Sequence, residues 1–334
     1  MKNDIIKSIK SLSSMLLVNE AVKRNIKVNH INRYQKEMVF LELSFKNHFE
    51  YIVGQKSSKT SATASYAVEN KALTKSLLEE ENISVAKGKL FSKNCNINEI
   101  YKYVKKIGYP VVVKKFDGVH GELVFLGINN KEKLCKFINE IFKKNDYVLI
   151  EKEFKGKEFR FIAAAHRIPA NVIGDGSHNI KELIRIKNND PRRAEGHQSP
   201  LTKIKIDSIV KQNLNEQNIK LDYIPNREEK IYLRKNSNLS TGGESIDVTD
   251  IIHPELKKIV VKSVQAIPGL AYAGVDLMTN KNISKRPTKN SYIIIEINSF
   301  PNLRMHHFSS IGKSRNVSGE IIDILFPETK CKIK

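Results

Sequence analysis

The sequence predicts an α/β protein of the α+β kind, with two or three lobes around a shared cleft, and three observations carry that prediction. The chain has 334 residues, 40% of them hydrophobic, enough for more than one core. Short β-branched runs alternate with helix-length amphipathic stretches separated by glycine turns. One run near the C-terminal end, Tyr292 to Asn298, is a strongly apolar strand that carries two polar side chains, Glu296 and Asn298.

Residues 1–56 read as a mixed lobe containing a strand over 38–45, where Glu42 and Ser44 interrupt an apolar run. The segment Ser11 to Val18 is too short to span a bilayer and runs straight into Asn19–Arg24, so it reads as amphipathic and not as a cleaved signal. The small polar tract 56–63 reads as a linker or an exposed loop. A helix follows over 65–81, with Ala67, Leu73, Leu77 and Leu78 on its apolar side. Another closes at Gly108, and residues 111–116 and 123–128 form a hairpin around turns at Asp117-Gly118 and His120-Gly121. A helix over 131–142 leads to a strand over 147–154, a turn at Gly156 and a strand beginning at Glu158 and Arg160.

The 57 basic and 36 acidic residues leave a net charge of +21, which attracts anions. The lysines are scattered, with no arginine-rich arm and no interleaved aromatics, so a dedicated nucleic-acid surface is not expected. No apolar run approaches the roughly 20 residues of a membrane span. Cys95, Cys135 and Cys331 lack metal-ligand spacing and read as free thiols in a reducing compartment, which makes the expected location cytoplasmic.

Alternate side chains of a strand share a face, so Glu296 and Asn298 point the same way, with Ile295 and Ile297 directed into the core. A second apolar segment, Gly274-Val-Asp-Leu-Met278, supplies Asp276. Three oxygen donors suit a hard cation such as Mg²⁺ that also carries phosphate oxygens. Alone, Glu-x-Asn reads more readily as a buried polar strand end. Lys114 lies on the strand entering the glycine-containing turn, where an ammonium meets phosphate, although a strand lysine is also an ordinary solvated residue. Around Gly156 the pattern resembles a hinge over a flat ring. Backbone groups of residues 152–154 would pair with an adenine edge, and Glu158 would accept from ribose hydroxyls.

In this order, Lys71 before a helix, Lys114 before a glycine loop, a Glu-rich hinge and the Asp276, Glu296, Asn298 set resemble the ATP-grasp ligases. Further stretches are similar to the ATP-grasp portion of cyanophycin synthetase: Asn238-Leu-Ser-Thr-Gly-Gly-Glu-Ser-Ile-Asp-Val-Thr-Asp250, His253-Pro254, Gly174-Asp-Gly176, Asn189 to Arg193, Gly196-His197, Leu303-Arg-Met-His306, Gly312 to Val317 and Ile324 to Pro327. The resemblance runs from about Thr60 to Pro327.

The resemblance implies an ATP-grasp fold with two α+β lobes clamping ATP, preceded by a short N-terminal lobe. The implied division is an N-terminal lobe over 1–60, a small lysine-bearing subdomain over 61–150, and a large subdomain over 151–334 holding the metal site and a lid-like excursion over 174–243. It implies Lys71 and Lys114 on the ATP phosphates, Glu151, Glu153 and Phe154 at the adenine hinge, and Glu158 on the ribose. Asp276, Glu296 and Asn298 would hold two Mg²⁺ ions, with Mn²⁺ as a substitute. Catalytic roles fall on Lys114, on His120 in the phosphate-covering loop, and on Arg304, which would neutralise the transferred phosphoryl group. Arg160, Arg192, Arg193 and His197 would face the acyl substrate, the last three reading equally as an exposed basic loop.

The implied reaction joins a small-molecule or peptide carboxylate to an amine through an acylphosphate, releasing ADP and phosphate. A regulatory or scaffolding relative that binds nucleotide without turnover is the alternative. Membrane partners are not expected, and the oligomeric state is left open, with a homo-oligomer compatible with the resemblance. Cyanophycin synthetase carries a further C-terminal domain, so the expectation here is a single ligation and not polymerisation. In the phosphate loop Glu122 and Leu123 stand where the family has arginine and glycine.

Overall fold

The computed structural model describes residues 9–31, 40–117, 123–196 and 199–330. Its helices combine with mostly antiparallel sheets, the predicted α+β composition. Two compact units emerge: Met1–Lys59 with Glu158–Asp250 and Phe300–Lys334, and Thr60–Lys157 with Ile251–Ser299. Each unit is thus assembled from segments far apart in sequence, a different partition from one that follows chain order at 60 and 150. No helix among the described residues is long and apolar enough to cross a membrane.

In the first unit a helix Leu12–Lys23 precedes a four-stranded antiparallel meander of Lys27–His30, Phe40–Phe45, His48–Val53 and Lys56–Ser57. The strand expected over 38–45 is present from Phe40, its first two residues lying outside the described set. This N-terminal part is bound to the C-terminal segment. Arg24 pairs with Asp323 and donates to the Gly319 carbonyl at 3.0 Å, and the Leu303 amide donates to Ser13 Oγ at 3.1 Å. Gly54 exists for the same packing: at φ 62°, a Cβ there would stand 2.5 Å from the Phe300 ring. Farther along, Ala164–Ile168 is flanked by Lys157–Phe161 and Glu244–Asp247, both antiparallel. The stretch 174–243 includes the helices Ile180–Asn188 and Ser208–Glu216, whose Ile180, Ile184, Val210 and Leu214 close around Val172 and Ile231 in a core of their own. The first helix opens with a reciprocal cap, Asn179 accepting from the Glu182 amide and Glu182 accepting from the Asn179 amide, both at 3.0 Å.

The second unit holds a four-stranded antiparallel sheet in the order Gly88–Ser92, Tyr147–Lys152, Val111–Lys114, Val124–Ile128. Alternation divides its residues between two faces. Val111, Val113, Val148 and Ile150 pack under the helices Ile97–Ile107 and Lys131–Phe142, through Ile100, Val104, Leu134, Ile138 and Ile141. Each such fully buried aliphatic side chain contributes about 1.5–3 kcal/mol. Val112, Lys114, Leu149 and Glu151 fall on the opposite face. All four are buried as well, so polar groups there need partners inside the protein.

The single helix expected over 65–81 is two helices, Ala62–Glu69 and Lys71–Glu80. Asn70 divides them with extended backbone, and its side-chain oxygen accepts from the Ala72 and Leu73 amides, both at 3.1 Å. The break places Lys71 at the first turn of a new helix. Its amide donates to the Phe116 carbonyl at 3.1 Å, tying that turn to the end of the Lys114 strand.

Candidate active site

The strands Gly274–Thr279 and Tyr292–Asn298 pair antiparallel within the second unit, and their register sets the candidate metal ligands. Asp276 lies directly opposite Glu296, and Gly274 opposite Asn298. Residues opposed across an antiparallel pair project to the same face, so all three side chains share one side. The register shifts between Asp276 and Leu277: Leu277 faces Ile294, and Ile295 is the extra residue of a β-bulge. Ile295 is accordingly half-buried and not a core residue like Ile297. Asp276 is buried, while Glu296 and Asn298 keep partial exposure. Among the described residues no three His, Cys, Asp or Glu side chains converge as a metal-binding group; this set offers two carboxylates and an amide oxygen.

Lys114 and Glu151 meet on the covered face of the neighbouring sheet. Val112 pairs with Glu151 and Lys114 with Leu149, which makes Lys114 and Glu151 diagonal neighbours on one face. Lys114 Nζ lies 2.7 Å from Glu151 Oε2, and Lys75 Nζ lies 2.6 Å from Oε1. Burial alone pushes the Glu151 carboxyl pKa up, but the Lys114 and Lys75 charges and their hydrogen bonds outweigh it and hold the group below the ordinary carboxylate range. Burial depresses Lys75, with Glu151 opposing. Burial likewise lowers Lys71, whose ammonium feels Glu296, Asp117 and Glu151 as attractive charges and Lys114 as a repulsive one. Lys71, Lys114, Glu151 and Glu296 are therefore one electrostatic group.

Placed this way, Glu151 has both oxygens committed to lysines instead of the adenine edge expected of it. The hinge backbone is partly committed too: the Lys152 amide donates to the Lys87 carbonyl at 2.7 Å and the Glu153 amide to the Pro110 carbonyl at 3.2 Å. Glu153 Oε2 accepts from the Gly127 amide at 2.9 Å. Phe154 follows the strand end, half-buried. Lys75 was not singled out by sequence reasoning, yet the signal was present: it follows Lys71 by four residues, one helical turn on the same face. His120 lies outside the described residues. Leu123, the first described residue after the loop, has φ 50°, the left-handed conformation that glycine adopts without strain.

The first unit gathers the other candidates. Glu158 pairs with Arg167 and accepts from Ser237 Oγ, so its carboxylate, expected at a ribose, is engaged within the protein. Arg193 is buried, its guanidinium 2.5 Å from Glu244 Oε1 and donating to the Thr202 carbonyl at 2.7 Å. Arg304, 1% exposed, donates to the Ser199 carbonyl at 2.9 Å and to Thr202 Oγ1 at 3.1 Å. Burial lowers its pKa. Arg193 and Arg304 thus both hold the segment 199–202. Arg192 diverges from them; it is exposed and pairs with Asp190 at 2.8 Å, the exposed basic loop that was its other reading. His197 lies outside the described residues. Arg160 is buried next to His306, whose pKa is pushed down to about 3 by burial first and then by Arg160 and His307, against Asp247.

The family described as "Carbamoyl-phosphate synthase L chain, ATP binding domain" matches residues 70–220, and the RimK-like ATP-grasp domain matches residues 227–325. The glutathione biosynthesis bifunctional protein GshAB of Clostridium perfringens is 37% identical over 323 residues, covering 94% of this chain and 41% of that protein. Cyanophycin synthetase of Crocosphaera subtropica is 36% identical over 326 residues, covering 94% of this chain and 36% of that protein. The crystal structure of a bifunctional glutathione synthetase from Pasteurella multocida aligns with a TM-score of 0.72 at 31% identity, over 96% of this chain and 45% of that one. The fold is therefore ATP-grasp. The chain carries an ATP-grasp domain, and it spans about two-fifths of the length of the curated relatives it matches.

Proposed function

We propose that this chain catalyses ATP-dependent amide-bond formation between a carboxylate and an amine, with an acylphosphate intermediate and ADP and phosphate as products. The observation that carries the reading is the opposition of Asp276 to Glu296, with Asn298 on the same face, in the unit that holds Lys71 and Lys114. A carboxylate is a poor acyl donor because oxide would have to leave, and phosphorylation replaces oxide with phosphate. Phosphoryl transfer needs positioning and charge neutralisation more than covalent help. Lys71 and Lys114 would supply the cationic partners of the phosphates, Lys114 held in place by Glu151. Phe154 would contribute to the adenine hinge.

Asp276, Glu296 and Asn298 fit magnesium: all three offer oxygen, they share a face, and two remain partly exposed. Bound there, Mg²⁺ would neutralise phosphate charge as a Lewis acid, with Mn²⁺ able to replace it. The acid is a small-molecule or peptide carboxylate, and its partner an amine acceptor. The relatives' names refer to glutathione biosynthesis and to cyanophycin. The cytoplasmic location belongs to this proposal, supported by the free thiols of Cys95 and Cys135. The test is phosphate release from Mg-ATP in mixtures of amino acids and acidic peptides, with mass spectrometry for a product one water lighter than its parts. No phosphate release with any mixture would defeat the reading, and tight ATP binding without turnover would favour the regulatory alternative.

A further inference from the structure

We propose that Lys75 is a positioning residue for nucleotide binding, acting through Glu151 on Lys114. The inference deepens the ATP-dependent reading above and rests on it.

Three observations converge. The Glu151 carboxylate bridges two ammonium groups, with Lys75 at 2.6 Å and Lys114 at 2.7 Å, and the three side chains are only 12%, 8% and 6% exposed in the order Lys75, Glu151, Lys114. Lys75 has a second anchor, the Ala86 carbonyl, so its ammonium is fixed from two directions. Space for the bridge is made by the neighbouring strand. Gly88 lies directly opposite Glu151, and a Cβ there would stand 2.7 Å from Glu151 Cγ and 3.1 Å from Lys75 Nζ. A side chain at 88 would push the carboxylate off its two partners.

Charge gives the arrangement its consequence. Were Glu151 held only by Lys114, a long carboxylate and a long ammonium would share one contact and retain rotamer freedom. Lys75 takes the other oxygen and removes that freedom, so Lys114 Nζ is presented at one place on the face. Within the bridge two ammonium groups stand against one carboxylate, a positive charge in a poorly solvated region that an anionic phosphate chain would offset. Lys75 itself need not touch the nucleotide. Its effect is to aim Lys114.

The experiment is titration calorimetry with Mg-ATP on the full chain carrying Lys75→Met, Lys114→Met or both. Lys75→Met is expected to weaken ATP binding about tenfold or more, the size of one charge-assisted hydrogen bond. Because Lys75 acts through Lys114, adding Lys75→Met to Lys114→Met should cost nothing further. Lys75→Arg, which restores a cation beside Glu151, should recover most of the loss. Should Lys75→Met not fold, Lys75→Gln, which retains a donor toward the Ala86 carbonyl, is expected to show the same loss and the same non-additivity. Unchanged ATP affinity in the Lys75 variants, additive losses in the double variant, or no recovery with arginine would each overturn the inference. No binding of Mg-ATP by the unaltered chain would instead overturn the functional reading beneath it.

Discussion

Replacing Glu151 by glutamine should remove the central charge of the buried lysine bridge with little change in shape. Glu151 is 6% exposed, and its oxygens stand 2.6 and 2.7 Å from two ammonium groups that are themselves poorly solvated. Removing one member of a buried ion pair costs about 3–5 kcal/mol, because the remaining charge is left uncompensated. Here two lysines lose the same partner, which places the loss toward the upper end, while the Ala86 carbonyl still anchors Lys75 and tempers it. The assay is urea denaturation at neutral pH, read as a lower midpoint with unchanged slope. The effect has a pH signature. The folded carboxyl titrates below its unfolded value of 4.5, so its stabilisation is complete above pH 4.5 and is lost as pH falls through the folded value. The gap between the two proteins should therefore close in acid. Equal midpoints at pH 7, or a gap that persists unchanged at the acid end, would refute this account of the bridge.

Glu296→Gln should abolish phosphate release from Mg-ATP while shifting the thermal midpoint by only a few degrees, about 1 kcal/mol or less; retained activity would place the metal elsewhere. Asn70→Ala should cost about 1 kcal/mol by removing the helix cap and should raise the KM for ATP as Lys71 loses its fixed turn, both measurable on one preparation. His306 stays neutral in the folded protein down to about pH 3 but protonates near 6.5 when unfolded, so stability should fall as pH drops below 6.5. His306→Met should flatten that slope in urea titrations between pH 4 and 6.5. Arg304→Lys gives up the planar fork that reaches Ser199 and Thr202, and should cost about 2 kcal/mol with faster proteolysis near residues 199–202. An unchanged cleavage rate there would remove Arg304 from the loop.

Local pattern made several elements legible. The helix Lys131–Phe142 follows its apolar spacing, and the helix ending at Ile107 has Gly108 at φ 76° as its C-cap, the conformation that glycine supplies. The hairpin pairs Lys114 with Val124 as its turn residues suggested. The break at Asn70 was missed because the apolar spacing continues across it, while the cap that interrupts it depends on one side-chain oxygen. The ion pairs of Glu151, Glu158, Arg192 and Arg193 were equally hidden, since an isolated charged residue carries no mark of the partner it will find.

The sequence by itself determined the α+β class and placed Asp276, Glu296 and Asn298 on apolar strands, because strand alternation and glycine turns are local properties of consecutive residues. Tertiary structure alone decided that Asp276 stands across from Glu296, that Lys75 and Lys114 share one carboxylate, and that residues 1–59 join 158–250 and 300–334 in one unit. Register and burial are set by segments up to hundreds of residues apart, and no periodicity within any one of them encodes which segment it will meet.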